Sequence, residues 1–374
     1  MLIEEEFWKI MQKEGIDQVG ILPCDKLKTV LALLPEGFKC YNLTREEEGV
    51  GISAGAFLGG GKPALLIQST GIGNSINALM SLHKTYEIPL PIIASWRGVY
   101  KEAIEAQKPL GKALTSLLKA LEIPYIIIEN KDEISLLAGA IRSSFKENIP
   151  YVVLISPKVW EDSTSLKEPQ SFEKRISIFD FEFHSKLNPP KITRYEAIKA
   201  IADMCGEDDI IVCNMGYPSR ELFHAKDRAL NFYMTGSLGL VSAIGLGIAE
   251  NTEKDVWVFD GDGSLLMNLN ILTTIGVLMP KNLRIFCLDN GTYGSTGDQP
   301  TPAYKNISLS AIALAHGIKK VQLYHEIEEN REAIEGFGRG PDFIHVIVRP
   351  GNAQLAPIPL KNREIKERFM RALK

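Results

Sequence analysis

Val256-Trp257-Val258-Phe259-Asp260-Gly261-Asp262-Gly263-Ser264 and Leu283-Arg284-Ile285-Phe286-Cys287-Leu288-Asp289-Asn290-Gly291 are the two stretches whose reading decides the fold. Each is a short, almost continuously apolar run that ends in turn-forming residues, as a strand buried on both faces of a parallel sheet does. Between them, Leu-Leu-Met-Asn-Leu-Asn-Ile-Leu-Thr-Thr-Ile-Gly-Val-Leu-Met at 265–279 has the length and composition of a helix. The three together read as a strand–helix–strand unit.

The same alternation runs outward in both directions. Downstream, Phe-Ile-His-Val-Ile-Val at 343–348 reads as a strand. Upstream come Asp-Ile-Ile-Val-Cys-Asn at 209–214 and a helix from about Thr193. Further runs lie at 19–23, 64–68, 90–96, 124–129 and 151–156, separated by amphipathic segments of helical length. Residues 157–190 are polar and aperiodic, with two adjacent prolines near their end, which is linker composition. The expectation is an α/β chain with two open parallel sheets flanked by helices: one domain over 1–157, a linker over 158–190 and a second domain over 191–374.

Composition narrows the function. With 374 residues and 45% hydrophobic residues, the chain can bury two cores. A formal net charge of -4 gives no cationic field of the kind nucleic acid or an anionic membrane requires. The five cysteines, Cys24, Cys40, Cys205, Cys213 and Cys287, are scattered without zinc-ligand spacing and read as reduced structural thiols. The acidic start Met-Leu-Ile-Glu-Glu-Glu lacks the charge of a targeting segment, and no apolar run approaches the roughly 20 residues of a membrane span. A cytoplasmic enzyme acting on a small molecule is expected.

The chemistry concentrates at the ends of the opening two strands. Magnesium takes about six hard oxygens, usually one or two from the protein and the rest from phosphates and water. Asp262 offers a carboxylate and Asn290 an amide oxygen, each at the carboxyl end of a strand, where ligands collect in open parallel sheets. Gly261 and Gly263 let the backbone come close to a ligand, and the N–H groups around Ser264 open the following helix. Alone, either turn is an ordinary connector. Paired in matching contexts, they resemble the fingerprint of thiamine-diphosphate (ThDP) enzymes, Gly-Asp-Gly followed after somewhat under thirty residues by Asn. That family often has Asn-Asn where this chain has Asp289-Asn290.

This resemblance implies further roles. Magnesium would be held by Asp262, Asn290 and the backbone carbonyl of Thr292. The loop Thr235-Gly236-Ser237-Leu238-Gly239 matches the family's aminopyrimidine loop, with Leu238 as the bulky residue that bends the cofactor. Gly216 and Tyr217, in Asn214-Met215-Gly216-Tyr217, would lie on the diphosphate side. Thr44-Arg45-Glu46-Glu47-Glu48 before a Gly/Ala-rich helix matches the segment of the activating glutamate, which hydrogen-bonds pyrimidine N1′. Counting back from Gly55 assigns it to Glu46, with Glu47 as the alternative. Glu47 and Glu48 are otherwise expected to be solvated residues at a helix start.

Over nearly its whole length the chain resembles the phosphonopyruvate and sulfopyruvate decarboxylase group within that family. The carrying motifs are Gln68-Ser69-Thr70-Gly71-Ile72-Gly73-Asn74, Ser95-Trp96-Arg97-Gly98, Gly216-Tyr217-Pro218-Ser219-Arg220-Glu221-Leu222 and Ser295-Thr296-Gly297-Asp298-Gln299-Pro300-Thr301. The wording of Thr44–Ala56 and Asn231–Gly239 is similar to the separate α and β subunits of the archaeal sulfopyruvate enzymes, here joined in one chain. The resemblance implies ThDP- and Mg2+-dependent decarboxylation of a small anionic 2-oxo acid. It also implies the absence of the central third domain of most relatives, and sites completed in a homodimer or larger homo-oligomer. With sulfopyruvate the product would be sulfoacetaldehyde, on the route to coenzyme M; phosphonopyruvate or another 2-oxo acid is the alternative. A 3-sulfo or 3-phosphono group needs cationic or N–H-rich surroundings, for which Gln68, Asn74, Arg97 and Lys108 are candidates. His83, without a histidine partner, reads as structural.

Overall fold

The computed structural model describes residues 1–163, 188–335 and 340–374. Their elements gather into two compact units, one from each half of the chain. The linker expected at 158–190 falls largely on residues 164–187, outside the described residues.

The first unit is a six-stranded parallel sheet. Its strands are β1 (Gln18–Ile21), β2 (Lys39–Asn42), β3 (Pro63–Gln68), β4 (Leu90–Ser95), β5 (Tyr125–Ile128) and β6 (Pro150–Ile155), in spatial order β2-β1-β3-β4-β6-β5. The central strands β3 and β4 are buried along nearly their whole length, which the continuous apolar runs foretell. Edge strand β2, Lys-Cys-Tyr-Asn, is not apparent in the sequence. It buries one side chain and exposes two, so it carries no apolar run.

The second unit has β7 (Ile210–Cys213), β8 (Asn231–Tyr233), β9 (Val256–Gly261), β10 (Leu283–Asp289), a small antiparallel pair β11 (Thr292–Tyr293) and β12 (Gln299–Pro300), then β13 (Lys320–Tyr324) and β14 (Asp342–Ile347). The main sheet is parallel in the order β13-β14-β10-β9-β7-β8. Its edges, β8 and β13, again escaped the pattern: one is three residues long, the other alternates exposed and half-buried positions. The helix expected near Thr193 spans Arg194–Met204. Thr193 caps it, accepting from the Glu196 amide while Glu196 reaches back to Thr193.

The stretch at 265–279 is two helices, Asp262–Met267 and Asn270–Leu278, rather than one. At the break, Asn268 takes φ -143° and sends its amide N–H to the Gly239 carbonyl at 3.0 Å. A side chain that competes for backbone partners is what ends the first helix. The break also ties the Gly236–Gly239 loop to the end of β9.

In the first unit, the helix Gly71–Ala78 continues into a π-helical turn, Leu79–Lys84. His83 in that turn is fully buried, with Nδ1 3.1 Å from the Ile88 carbonyl and Nε2 3.0 Å from the Val50 carbonyl. Burial outweighs the two carbonyls and lowers its pKa from 6.5 to about 4. The native state therefore refuses a proton that the unfolded chain binds between those values. The contribution is full above pH 6.5 and is lost as pH falls through 4, about 3 kcal/mol in all. Between pH 7.5 and 4, wild-type protein is expected to lose about that much more unfolding free energy than His83→Gln. Equal losses in denaturant titrations would mean that the imidazole is charged in the native fold.

Candidate active site

The carboxyl ends of β10, β9 and β7 are neighbours in the second sheet, and a cavity of about 90 Å³ opens there. Its walls include Tyr217, Leu238, Gly261, Asp262, Gly263, Ser264, Asn290 and Thr292. The structure thus brings together in one place residues read from three separate motifs. Gly216 adjoins this wall in a left-handed conformation (φ 83°) that glycine adopts freely, and it turns the chain between β7 and the next helix. Gly236 lies in the neighbouring loop and is not among the lining residues. Gly263 is close to obligatory: a Cβ there would sit 2.4 Å from the Tyr293 ring.

Asp262 is the first residue of its helix and 3% exposed; Thr301 donates its hydroxyl to the carboxylate. Burial, reinforced by the charge of Asp289, pushes its pKa up to about 7. Asn290, 6% exposed, accepts the Thr292 amide on Oδ1 at 3.1 Å, while its Nδ2 is buried without a partner. A buried carboxylate facing another negative charge, beside an unsatisfied amide, is a donor set that lacks a counter-charge and polar partners. Magnesium bound to a diphosphate would supply both. Among the described residues no cluster of three or more His, Cys, Asp or Glu could hold a metal. An ion here must take its remaining oxygens from amide, backbone and phosphate, which suits magnesium.

Several residues around this cavity were not singled out from sequence. Arg194 and Asn352 line it, tied by Arg194 Nη2 donating to Asn352 Oδ1 at 2.8 Å. Arg194 also makes a two-pronged pair with Glu221, at 2.8 and 2.9 Å. Asn352 in turn donates to the Gly294 carbonyl at 2.7 Å, fixing the loop after β11. Thr301 both contacts Asp262 and donates its backbone N–H to the Gly291 carbonyl. A long sequence separation hides such partners; of them only Glu221 and Thr301 lie within the motifs that carry the family resemblance.

In the first unit, Glu46 opens the helix Glu46–Leu58 and is 5% exposed. Its side chain packs where a Cβ on Gly71 would stand, and Asn74 Nδ2 donates to Oε2 at 3.0 Å. Asn74, expected to meet substrate, is thereby engaged with Glu46. Glu47 pairs with Arg45 at 3.0 Å and is partly exposed, as expected of a helix-start residue. The expectation that Glu48 is solvated is corrected: it is fully buried and accepts both the amide and the hydroxyl of Thr44. A capping contact over four residues, rather than water, satisfies its charge.

The remaining substrate candidates separate clearly. Gln68 ends β3, half-buried. Arg97 is 3% exposed and already paired, with Glu102 through Nε and Nη2 and with Asp25 through Nη1 at 2.7 Å. It draws the Glu102 carboxyl down to about 2. Two carboxylates already compensate its charge, so Arg97 is a weaker anion anchor than its sequence context suggests. Lys108 pairs with Glu105 near the surface.

Comparison with known proteins agrees with this geometry. The first half matches the thiamine pyrophosphate enzyme N-terminal TPP binding domain over residues 1–116, and the second the C-terminal TPP binding domain over 215–346. A sulfopyruvate decarboxylase of Methanosarcina acetivorans is 47% identical over 99% of this chain and 97% of its own. This chain belongs to the phosphonopyruvate and sulfopyruvate decarboxylase group of ThDP enzymes. A phosphonopyruvate decarboxylase of Streptomyces viridochromogenes is 33% identical, covering 90% of this chain and 86% of the relative. In Methanocaldococcus jannaschii the sulfopyruvate decarboxylase halves are separate chains. Its β subunit is 43% identical over 48% of this chain and its α subunit 41% identical over 41%, covering 97% and 93% of those subunits. A member of the group in which both subunits are fused fits these matches. Among the described residues, no helix is long and apolar enough to cross a membrane.

Proposed function

We propose that the chain is a cytoplasmic, ThDP- and Mg2+-dependent enzyme converting 3-sulfopyruvate to sulfoacetaldehyde and CO2, in coenzyme M biosynthesis. The observation that carries this choice of substrate is the 47% identity, spanning both halves, to a protein named for it. The phosphonopyruvate relative, at 33%, supports the alternative.

The cofactor, when bound, supplies the electron sink for the carboxylate carbon's departure. The chain's own residues do the rest. Asp262, Asn290 and the Thr292 carbonyl hold magnesium against the diphosphate, with Gly216, Tyr217, Gly261, Gly263 and Ser264 around it. Leu238 and the Gly236 loop support the pyrimidine. Glu46 holds and returns a proton at pyrimidine N1′, its carboxyl oriented by Asn74. Gln68, Asn74 and Lys108, with Arg97 in a supporting place, face the anionic substituent. Two copies of the chain at least complete the assembly, the minimum if each site pairs a first unit with a second unit from another copy.

The test is to supply sulfopyruvate, phosphonopyruvate and pyruvate in parallel, with ThDP and Mg2+, and to measure aldehyde and CO2. Sulfopyruvate is expected to exceed pyruvate in kcat/KM by about 10²-fold or more, since a pocket built for an anion leaves its polar groups unpaired against a methyl group. A higher kcat/KM for phosphonopyruvate would transfer the assignment to the alternative.

A further inference from the structure

Asp289, at the end of β10, stands one residue before the proposed metal ligand Asn290, where relatives often carry asparagine. Its surroundings account for the carboxylate. Asp289 Oδ1 accepts the backbone N–H of Gly291 at 2.9 Å, and Oδ2 lies 2.9 Å from His345 Nε2. On the other side of the ring, His345 Nδ1 is 2.9 Å from Ser310 Oγ. All three side chains are buried: Asp289 is 6% exposed, His345 2% and Ser310 not at all.

Donor and acceptor roles follow from the ends of this chain. A carboxylate oxygen can only accept, so Nε2 carries a ring proton; on a neutral ring Nδ1 then accepts from the Ser310 hydroxyl. Both oxygens of Asp289 then face donors. An asparagine in the same place, with the ring in the same tautomer, would set an amide N–H against one of them. Burial excludes nucleophilic use of Ser310. What the arrangement can do is hold the Asp289 carboxylate in one orientation, and through Gly291 shape the turn that carries Asn290 Oδ1 and the Thr292 carbonyl. The three residues come from three elements: β10, the helix Leu309–Ala315 and β14, where His345 is paired in register with Cys287 of β10. Sequence proximity cannot produce this arrangement.

We infer that His345, fixed by Ser310, is a positioning residue for the metal site: it orients Asp289, which sets the Asn290–Thr292 turn and places a second negative charge behind the ion. His345 touches neither metal nor cofactor. Histidine-to-carboxylate contacts behind a metal ligand commonly govern affinity by 10–100-fold when removed. The inference rests on the reading of this cavity as the Mg2+–ThDP site.

The experiment measures Mg2+ affinity by calorimetry in the presence of ThDP, with the melting temperature of the metal-free protein as fold control. Glutamine at 345 puts its Nε2 at the reach of the imidazole Nε2, whereas asparagine reaches only as far as Nδ1. His345→Asn is expected to weaken Mg2+ binding by about 10- to 100-fold and His345→Gln by no more than a few-fold. Ser310→Ala, which removes one hydroxyl, is expected to act in the same direction but less strongly, and decides the matter if His345→Asn does not fold. Wild-type affinity in His345→Asn and Ser310→Ala, or equal loss in the Gln and Asn variants, would overturn the inference. Failure of the wild-type protein to bind Mg2+ with ThDP would instead overturn the reading of the cavity.

Discussion

Replacing Glu46 with glutamine is expected to lower turnover by about 10²- to 10⁴-fold while changing ThDP affinity far less. The substitution keeps the volume that fills the space over Gly71, and the amide oxygen can still accept the hydrogen bond from Asn74. It removes the capacity to take up and release a proton. An interaction used mainly at proton transfer should appear in kcat rather than in cofactor binding, and hydrogen exchange at the thiazolium C2 reports that step directly. Two neighbours serve as controls with different expected behaviour. Glu47→Gln loses one surface ion pair with Arg45 and should leave turnover nearly intact. Glu48→Gln disturbs the buried contact with Thr44 and should lower the melting temperature more than it alters chemistry at the cofactor. Near-normal turnover in Glu46→Gln with its loss in Glu47→Gln would move the assignment by one residue. Normal turnover in both would remove this segment from the catalytic apparatus.

The sequence shows some parts of this site clearly and others not at all, and the division follows the range of the interactions. Strands β3, β4, β9 and β10 are buried on both faces and leave continuous apolar runs that can be read directly. Strands β2, β8 and β13 lie at sheet edges: β2 and β13 expose part of their side chains, and β8, though buried, is only three residues long. Their few apolar residues carry no such signal. The proposed ligands Asp262 and Asn290 stand out in the sequence because glycines adjoin both at strand ends, and that pattern is local. The break at Asn268 does not stand out, because its cause is a carbonyl 29 residues away, at Gly239. The same holds for His345 behind Asp289 and for Arg194 behind Asn352: each acts through a contact between distant segments, and nothing adjacent in sequence marks it. Arg97 shows the reverse failure. A lone arginine in a glycine-bounded motif suggests an anion site, yet Asp25, from the helical turn after β1, and Glu102, from Arg97's own loop, already balance it.

Removing either proposed metal ligand should have the largest effect on the cofactor itself. Asp262→Ala and Asn290→Ala are each expected to weaken Mg2+-dependent ThDP binding by more than about 10²-fold, beyond the cost of losing a partner behind the ligands. The two substitutions remove different things. Asp262→Ala takes away the carboxylate given to the ion in this reading, and with it the acceptor for Thr301; Asp260, also on the cavity wall, is engaged with the Ser242 hydroxyl. Asn290→Ala removes an amide oxygen and also the cap on the Thr292 amide, so it disturbs two ligands through one side chain. Neither should unfold the metal-free protein. Asp262 is a buried carboxylate penalised by desolvation and by Asp289, and Asn290 has a buried Nδ2 with no partner, so each occupies its place at a cost. Deleting such groups takes away unfavourable terms along with the few hydrogen bonds they accept, and melting temperatures without metal should stay within a few degrees of wild type. The informative result is therefore an intact fold that no longer binds Mg2+ and ThDP together. Calorimetry that found wild-type affinity in both variants would place the ion elsewhere, and the roles given to Thr292 and to the turn held by His345 would fall with it.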